Sequence, residues 1–377
     1  MLRDTASSFE LLETPVPLVD VDVMARNLDT MQAYATAHGL ALRPHTKTHK
    51  SVHVGREQMR RGAVGLTCAT PFEATVMQDA ADDLLVAYPV LGHAKLDRLF
   101  TVRDDIALRV QLDSAEAIDQ LAAAAVRHDR AVAVTVEFDA GMHRVGVPSL
   151  DDAIALARHV HANPPLEFSG IAFYPGHIRE PVTSQDAALE RLRHKVAEAV
   201  EAFTEAGLAP QIVSGGSTPT MWRSHEITGI TEIRPGTYVY NDRTTAEIGA
   251  CQWDDCAFTV LATVVSTSVP GQAVIDAGAK ALGREPIRGA GGEGWGALVD
   301  RPEVVVSRMS EEHGILDLST TDWRPRVGEL VRVVPNHVCI VTHLNDVIFA
   351  VRGGEVVTSW PVDARGRGYG GLIGVSG

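Results

Sequence analysis

Residues 40–68 read LALRPHTKTHKSVHVGREQMRRGAVGLTC. Two apolar runs of strand length, LALRP (40–44) and AVGLTC (63–68), bracket a helix-like segment, VHVGREQMRR (52–61). Strand, helix and strand in so short a stretch make the repeat of a parallel sheet with helical crossovers. The unit recurs outward from here. Further strand-length runs stand at LLVAY (84–88), IALRV (106–110), VAVTVEF (132–138), FSGIAFY (168–174), QIVSG (211–215) and TEIRPG (231–236). Between most of them lie PFEATVMQDA (71–80), HAKLDRLFTV (93–102), SAEAIDQLAAAAVR (114–127), LDDAIALARHV (150–160) and SQDAALERLRHKVAEAVEAFTEAG (184–207), all with helical character. Eight strands with alternating helices predict a (β/α)8 TIM-type barrel rather than an open sheet.

The flanks read differently. Upstream, LVDVDV (18–23) looks like a strand, and MARNLDTMQAYATAHG (24–39) places Met24, Leu28, Met31 and Ala35 at helical spacing before Gly39. Beyond about residue 250 the helical period fades. FTVLATVVSTSV (258–269), QAVIDAG (272–278), GILDLS (314–319), ELVRVVP (329–335) and DVIFAVRGGEVVTSWPV (346–362) predict a mostly antiparallel β domain, into which the opening strand can pair. The expected division is a barrel over 22–250 and a β domain formed by 1–21 and 251–377.

The chain has 377 residues, 45% of them apolar, and a formal charge of −14. That charge argues against nucleic acid or an anionic membrane as partner, though not against a local basic pocket for a small anion. No apolar run nears the ~20 residues of a membrane span, and MLRDTASSFELLETPVP carries no signal-peptide segment. Four cysteines form no CxxC pair, so the expectation is a reducing cytoplasm. Cys68 reads as a packing residue, Cys251 and Cys256 as lacking partners, and GAGGEGWG (289–296) as a flexible loop or lid.

Barrel chemistry sits at the C-terminal ends of the strands. HTKTHK follows the first strand, CATPFE the second, DAGMHRVG the fifth, YPGH the sixth, GGSTPT the seventh and GTYVYND the eighth. Their unusual residues therefore share one end, and the opposite end carries nothing comparable. The turns Gly215, Gly216, Ser217, Thr218 and Gly236, Thr237, Tyr238 offer backbone N–H groups and hydroxyls after strands seven and eight, where barrels commonly hold a phosphate. In an extended LRPHTK, Arg43, His45 and Lys47 share parity and face the mouth, while Lys50 starts the next helix. Nearby cations and loss of water favour the neutral amine that a Schiff base needs at Lys47. The alternative is a surface lysine pair. A lysine nucleophile with a phosphate cup suits pyridoxal phosphate, and equally a Schiff-base aldolase acting on a sugar phosphate.

RPHTKTHK, EFDAGMHRVGV, SGGST, IRPGTYVYND and PNHVC, in this order, resemble the fold-type III pyridoxal-phosphate enzymes, closest to D-threonine aldolase and eukaryotic-type D-serine dehydratase. GMHRVGV also looks like the arginine segment of alanine racemases, and the resemblance runs from about Thr14 to WPVDARG (360–366). It implies pyridoxal 5'-phosphate on Lys47 with Arg144 facing the ring nitrogen, which an arginine cannot protonate. It further implies a divalent metal on His337 and Cys339, reaching the site of the same or a partner subunit. That donor pair suits zinc better than magnesium or calcium, with manganese or cobalt as further candidates. Tyr174 reads as cofactor packing, and His45, Tyr174 and His177 are the candidate catalytic groups beside Lys47.

The implied reaction is metal-assisted cleavage of D-β-hydroxy-α-amino acids to glycine and an aldehyde, in a homodimer. The alternative is dehydration of D-serine or D-3-hydroxyaspartate to a 2-oxo acid and ammonia. His-x-Cys is shared with the dehydratases, whereas HLND and WPVDARG look more like the aldolases. A non-catalytic cofactor carrier of the single-barrel type would lack the β domain. A metal-dependent hydrolase would need more His and Asp at the strand ends than these offer.

Overall fold

The computed structural model describes residues 8–289, 291–366 and 368. Among the described residues two units result: one from 8–29, Glu180–Val182 and Thr237–Arg365, the other from Thr30–Arg179, Thr183–Gly236, Gly366 and Gly368. Residues 237–250, assigned from sequence to the barrel, pack instead with the β unit. Tyr240 packs its ring near Phe258, Thr244 bonds the Asn336 carbonyl, and Ala257 N–H bonds the Tyr240 carbonyl.

Seventeen strands occur among the described residues, in chain order: β1 (Val16–Asp20), β2 (Ala41–Leu42), β3 (Leu66–Cys68), β4 (Asp83–Val86), β5 (Ala107–Leu112), β6 (Val132–Glu137), β7 (Leu166–Ala172), β8 (Ile212–Gly215), β9 (Glu232–Ile233), β10 (Phe258–Ser266), β11 (Gln272–Ile275), β12 (Gly296–Leu298), β13 (Arg301–Met309), β14 (Gly314–Asp317), β15 (Leu330–Pro335), β16 (Val347–Arg352) and β17 (Glu355–Pro361). β2 to β9 form an eight-stranded, wholly parallel sheet in the order β2-β9-β8-β7-β6-β5-β4-β3. Its edges meet. Val64 N–H bonds the Leu42 carbonyl, Thr67 N–H the Pro44 carbonyl and Thr46 N–H the Thr67 carbonyl, with a parallel bridge between His45 and Thr67. The segment after β2, rather than β2 itself, closes the seam.

Helices cover the sheet, so its strands are buried on both faces and read as continuous apolar runs. Leu84, Val110, Val134, Val136 and Ile171 are fully buried. Each such side chain contributes roughly 1.5–3 kcal/mol over exposure. Helix starts follow local chemistry. Thr70 caps Pro71–Met77 by accepting from the Glu73 N–H, and Ser149 caps Leu150–His161 through Asp152. Two expectations shift for the same reason. LVDVDV stops being a strand at Asp20, because that carboxylate accepts from the Asp22 and Val23 N–H groups and starts the helix Val21–Ala37. Residues after β8, expected only as a turn, form a 3-10 helix over Thr218–Glu226.

In the other unit β10, β11, β14, β13, β12 and β15 close into a ring, because β10 pairs with both β11 and β15. From β10 the sheet continues through β1, β16 and β17, and only β1–β16 is parallel. The expected pairing of the opening strand into the β domain is observed. β12 and β13 were not expected. GAGGEGWG is not a free loop over its described residues. The Glu293 carbonyl accepts from Arg243, the Gly294 carbonyl from Asn336, and Trp295 N–H bonds Val306 before β12 begins at Gly296; Ala290 lies outside the described residues. No helix among the described residues is long and apolar enough to cross a membrane.

Candidate active site

Extended geometry in the opening segment ends at His45, and Thr46–His49 form a turn whose Thr46 carbonyl accepts from the His49 and Lys50 N–H groups. The two lysines then diverge. Lys50 has φ 51° and lies outside the helix Val52–Arg60, and its amine pairs with buried Glu73 at 2.5 Å. Lys50 therefore does not start the helix as expected. Ser51 is the residue before its first turn. The Lys47 amine lies 5.5 Å from the centroid of the Tyr174 ring, and the Arg144 guanidinium carbon lies 5.0 Å from the same centroid. One aromatic ring at the end of β7 thus receives both cations.

Arg144 is exposed on a loop with built-in stiffness. Phe138 and Val147 form a parallel bridge, and the Asp139 carboxylate accepts from the Gly141 and His143 N–H groups and pairs with the His143 ring at 2.6 Å. Burial alone would raise the Asp139 carboxyl, but those N–H groups outweigh it and hold it below its usual range. His177, exposed, lies against this loop: a Cβ on Gly141 would meet its ring at 3.0 Å.

His45 is half-buried, and its Nδ1 accepts from the Lys47 N–H at 3.4 Å. Burial, then the Lys47 and Arg234 charges, push the imidazole well below its usual range, so the ring is neutral with its proton on Nε2. As arranged, His45 is a donor at Nε2.

Gly215 ends β8 with Gly216 next, and a Cβ on Gly215 would lie 2.3 Å from the Phe173 ring, so any other residue must displace that ring. Ser217 is buried, shares a 3.1 Å hydrogen bond with Thr220, and precedes the 3-10 helix that opens at Thr218. The first N–H groups of a helix have no partner within it and suit an anion. Gly236 lets the chain after β9 pass His45, where a Cβ would meet the His45 carbonyl oxygen at 3.1 Å. Thr237 and Tyr238 belong to the other unit, where Tyr238 is buried.

Arg43 corrects the parity reading. Its guanidinium is 2% exposed and turns into the barrel toward Asp83 and Glu232, the first residues of β4 and β9, at 2.8 and 2.7 Å. Arg109 lies 3.8 Å from the same Glu232, and Ser214 donates to it. A charged floor thus occupies the strand starts, where the sequence suggested nothing comparable. Burial raises the Glu232 carboxyl, but the Arg43 charge and the Ser214 hydroxyl bring it below its usual range. Above the floor lies a residue that sequence reasoning missed. Arg234 is buried, donates to Gln111 at 2.6 Å and to the Phe173 carbonyl at 2.9 Å, and keeps an Nε without a protein partner. Its signal in the sequence is IRPG (233–236), an arginine at the end of a strand beside a glycine turn.

In the other unit His337 and Cys339 do come together. His337 hydrogen-bonds both Cys339 and, through Nδ1 at 3.1 Å, the Asp242 carboxylate. Burial favours the neutral ring, but Cys339 and Asp242 outweigh it and raise the imidazole well above its usual value. Among the described residues no group of three or more His, Cys, Asp or Glu is arranged to hold a metal. Cys68 is fully buried, which pushes its thiol upward. Cys251 and Cys256, expected to lack partners, hydrogen-bond each other.

A parallel barrel with a lysine, an arginine and two glycine turns at its strand ends, followed by a β domain, defines a class built on the alanine racemase plan. Residues 19–244 match the family described as "Alanine racemase, N-terminal domain", and residues 257–351 match "Putative serine dehydratase domain". The chain is 33% identical to 3-hydroxy-D-aspartate aldolase of Paracoccus denitrificans, over 95% of this chain and 93% of the relative. It is 35% identical to D-threo-3-hydroxyaspartate dehydratase of Delftia sp. over 87% and 91%, and 31% identical to D-threonine aldolase of Arthrobacter sp. over 94% and 93%. The crystal structure of D-threonine aldolase from Filomicrobium marinum superposes with a TM-score of 0.86 at 33% identity, covering 94% of this chain and 96% of that one. The chain belongs to the fold-type III pyridoxal-phosphate family, and its relatives at this similarity are lyases.

Proposed function

We propose that this chain is a pyridoxal-phosphate and divalent-metal-dependent lyase that cleaves D-β-hydroxy-α-amino acids to glycine and an aldehyde, as D-threonine aldolase does. The observation carrying the reading is the separation of the two lysines: Glu73 neutralises Lys50, while Lys47 lies over Tyr174 at the strand ends. The residues fit the cofactor. Ser217 and the helix start at Thr218 suit a phosphate, and the unsatisfied Nε of buried Arg234 is a donor to spare for the ring or its substituents. Bound there, pyridoxal phosphate supplies a carbonyl carbon and a conjugated ring that takes up negative charge at Cα.

In this reading Lys47 is the covalent anchor and Tyr174 packs along the cofactor. Gly215, Gly216, Ser217, Thr218 and Gly236, with Thr237 and Tyr238, belong to its binding set. Arg144, first placed at the ring nitrogen, shares that candidacy with Arg234, whose donors are the ones withdrawn from water. His45 donates a hydrogen bond from Nε2. That leaves His177 as the imidazole for moving a proton to or from the β-hydroxyl. His337 and Cys339 are the metal ligands, with zinc the best fit to an imidazole and a thiolate, and a cation there supplies Lewis acidity toward a hydroxyl. Two solved D-threo-3-hydroxyaspartate dehydratase variants support the donor pair: one alters a histidine, and the other, in a metal-free form, alters a cysteine two positions further on. A cytoplasmic homodimer belongs to the same reading.

The His-x-Cys pair also favours a second reading, dehydration to a 2-oxo acid and ammonia. Incubating purified protein with pyridoxal phosphate, zinc or manganese, and D-threonine separates the two. Acetaldehyde with glycine supports cleavage, and 2-oxobutanoate with ammonia supports dehydration. Racemised D-threonine without either product sinks both.

A further inference from the structure

Asp242 ends the segment IRPGTYVYND and is 1% exposed. Its Oδ1 accepts from the Thr245 N–H at 2.9 Å, and the Thr245 hydroxyl accepts from the Asp242 N–H at 2.8 Å, a capping box that starts the helix Arg243–Glu247. Capping accounts for Oδ1 only. The other oxygen, Oδ2, lies 3.1 Å from His337 Nδ1 and accepts from the Val338 N–H at 3.2 Å. Val338 is the residue between His337 and Cys339. One carboxylate oxygen therefore holds both a side chain and the backbone between two donor residues.

A carboxylate oxygen only accepts, so the proton of a neutral His337 ring sits on Nδ1. The remaining lone pair is on Nε2. We propose that Asp242 is a positioning residue that fixes the ring and tautomer of His337 so that Nε2, not Nδ1, is offered to a divalent cation together with the Cys339 thiolate. This rests on the reading of His337 and Cys339 as metal ligands. Metal-bound histidines commonly give their second nitrogen to a carboxylate, which orients the ring and raises its basicity. Here the fold itself supplies that partner, and the same oxygen also accepts from the N–H of Val338, the residue between the two donors.

The test is titration of metal-stripped, full-length protein with Co2+, read by thiolate-to-cobalt charge-transfer absorption. In Asp242→Asn, an Oδ1 that still caps Thr245 leaves an NH2 group facing His337, which drives the ring proton to Nε2. Asp242→Asn should weaken Co2+ binding about 10- to 100-fold. Thr245→Ala removes the hydroxyl half of the capping box but leaves the Asp242–His337 pair, and it should bind Co2+ as the unaltered protein does. Equal affinity of Asp242→Asn and the unaltered protein overturns the proposal, as does equal weakening by Thr245→Ala, since capping would then explain everything. If Asp242→Asn does not fold, 15N shifts of His337 in the unaltered Zn2+-loaded protein decide. Metal on Nε2 with a proton on Nδ1 supports the proposal, and metal on Nδ1 overturns it. Co2+ affinity unchanged in both His337→Ala and Cys339→Ala overturns the metal reading itself, and this inference with it. Affinity lost in those two variants but kept in Asp242→Asn overturns this inference alone.

Discussion

The floor and the mouth of the barrel are both rich in cations, and they use them in opposite ways. At the floor Arg43 is closed off by two carboxylates, Asp83 and Glu232, and Ser214 occupies the second oxygen of Glu232. At the mouth Lys47 and Arg144 meet an aromatic ring instead of a carboxylate, and Arg234 keeps an unsatisfied donor. Charge that is internally neutralised holds a fold together. Charge met by a π face, as at Lys47 and Arg144, or left with an unsatisfied donor, as at Arg234, stays available to a ligand. Lys50 and Lys47 repeat the contrast within one turn of chain.

The largest expected effect breaks this contrast at the lysines. Lys47→Ala should abolish the yellow chromophore and all turnover. Lys50→Ala should keep a chromophore that borohydride fixes to residue 47, although it leaves Glu73 buried and unpaired. A colourless Lys50→Ala with a yellow Lys47→Ala would invert the assignment. Next, Glu232→Gln should cost about 3 kcal/mol in urea unfolding, because it breaks a buried ion pair and leaves the Arg43 guanidinium with Asp83 alone, while the cofactor absorbance stays intact. A shifted absorbance would mean that floor and mouth are not separate. Gly215→Ala should weaken cofactor binding on the order of tenfold, since the new methyl must push the Phe173 ring away. Equilibrium dialysis against pyridoxal phosphate checks it.

The smallest effect is in pH. The folded Glu232 carboxyl lies below its unfolded value, so it releases its proton more readily in the folded state. Its contribution is therefore present above the unfolded value of about 4.3 and lost as pH falls through the folded one. Glu137 runs the other way: burial, only partly offset by Gln111 and Arg234, raises it, so its ionisation costs stability as pH rises above the unfolded value. Acid unfolding curves should show a shallower loss in Glu232→Gln than in the unaltered protein, and identical slopes would refute the floor assignment.

Most of the barrel was legible because strands buried on both faces leave continuous apolar runs, and the helices between them keep their period. β13 was overlooked because RPEVVVSRM mixes apolar and charged residues on a strand with exposed positions, which weakens the run. At the site, parity set Lys47 apart from Lys50, and the structure sets them apart on a different ground, the pairing of Lys50 with Glu73. Alternation reports which residues face inward, but not at what depth. Arg43 and His45 share parity and differ by a full layer, and past His45 the chain turns, so parity no longer applies to Lys47. The Asp242–His337 pair was invisible because its members stand far apart in sequence.

The seam of the barrel has a consequence of its own. β2 is two residues long, and closure depends on Leu42, Pro44 and Thr46 bonding across to Val64 and Thr67, immediately before Lys47. A cofactor held on Lys47, as proposed, is thus tied to the segment that closes the cylinder. Loading the protein should be felt as slower amide exchange at Val64 and Thr67, so that a small ligand acts as a zip for the whole wall.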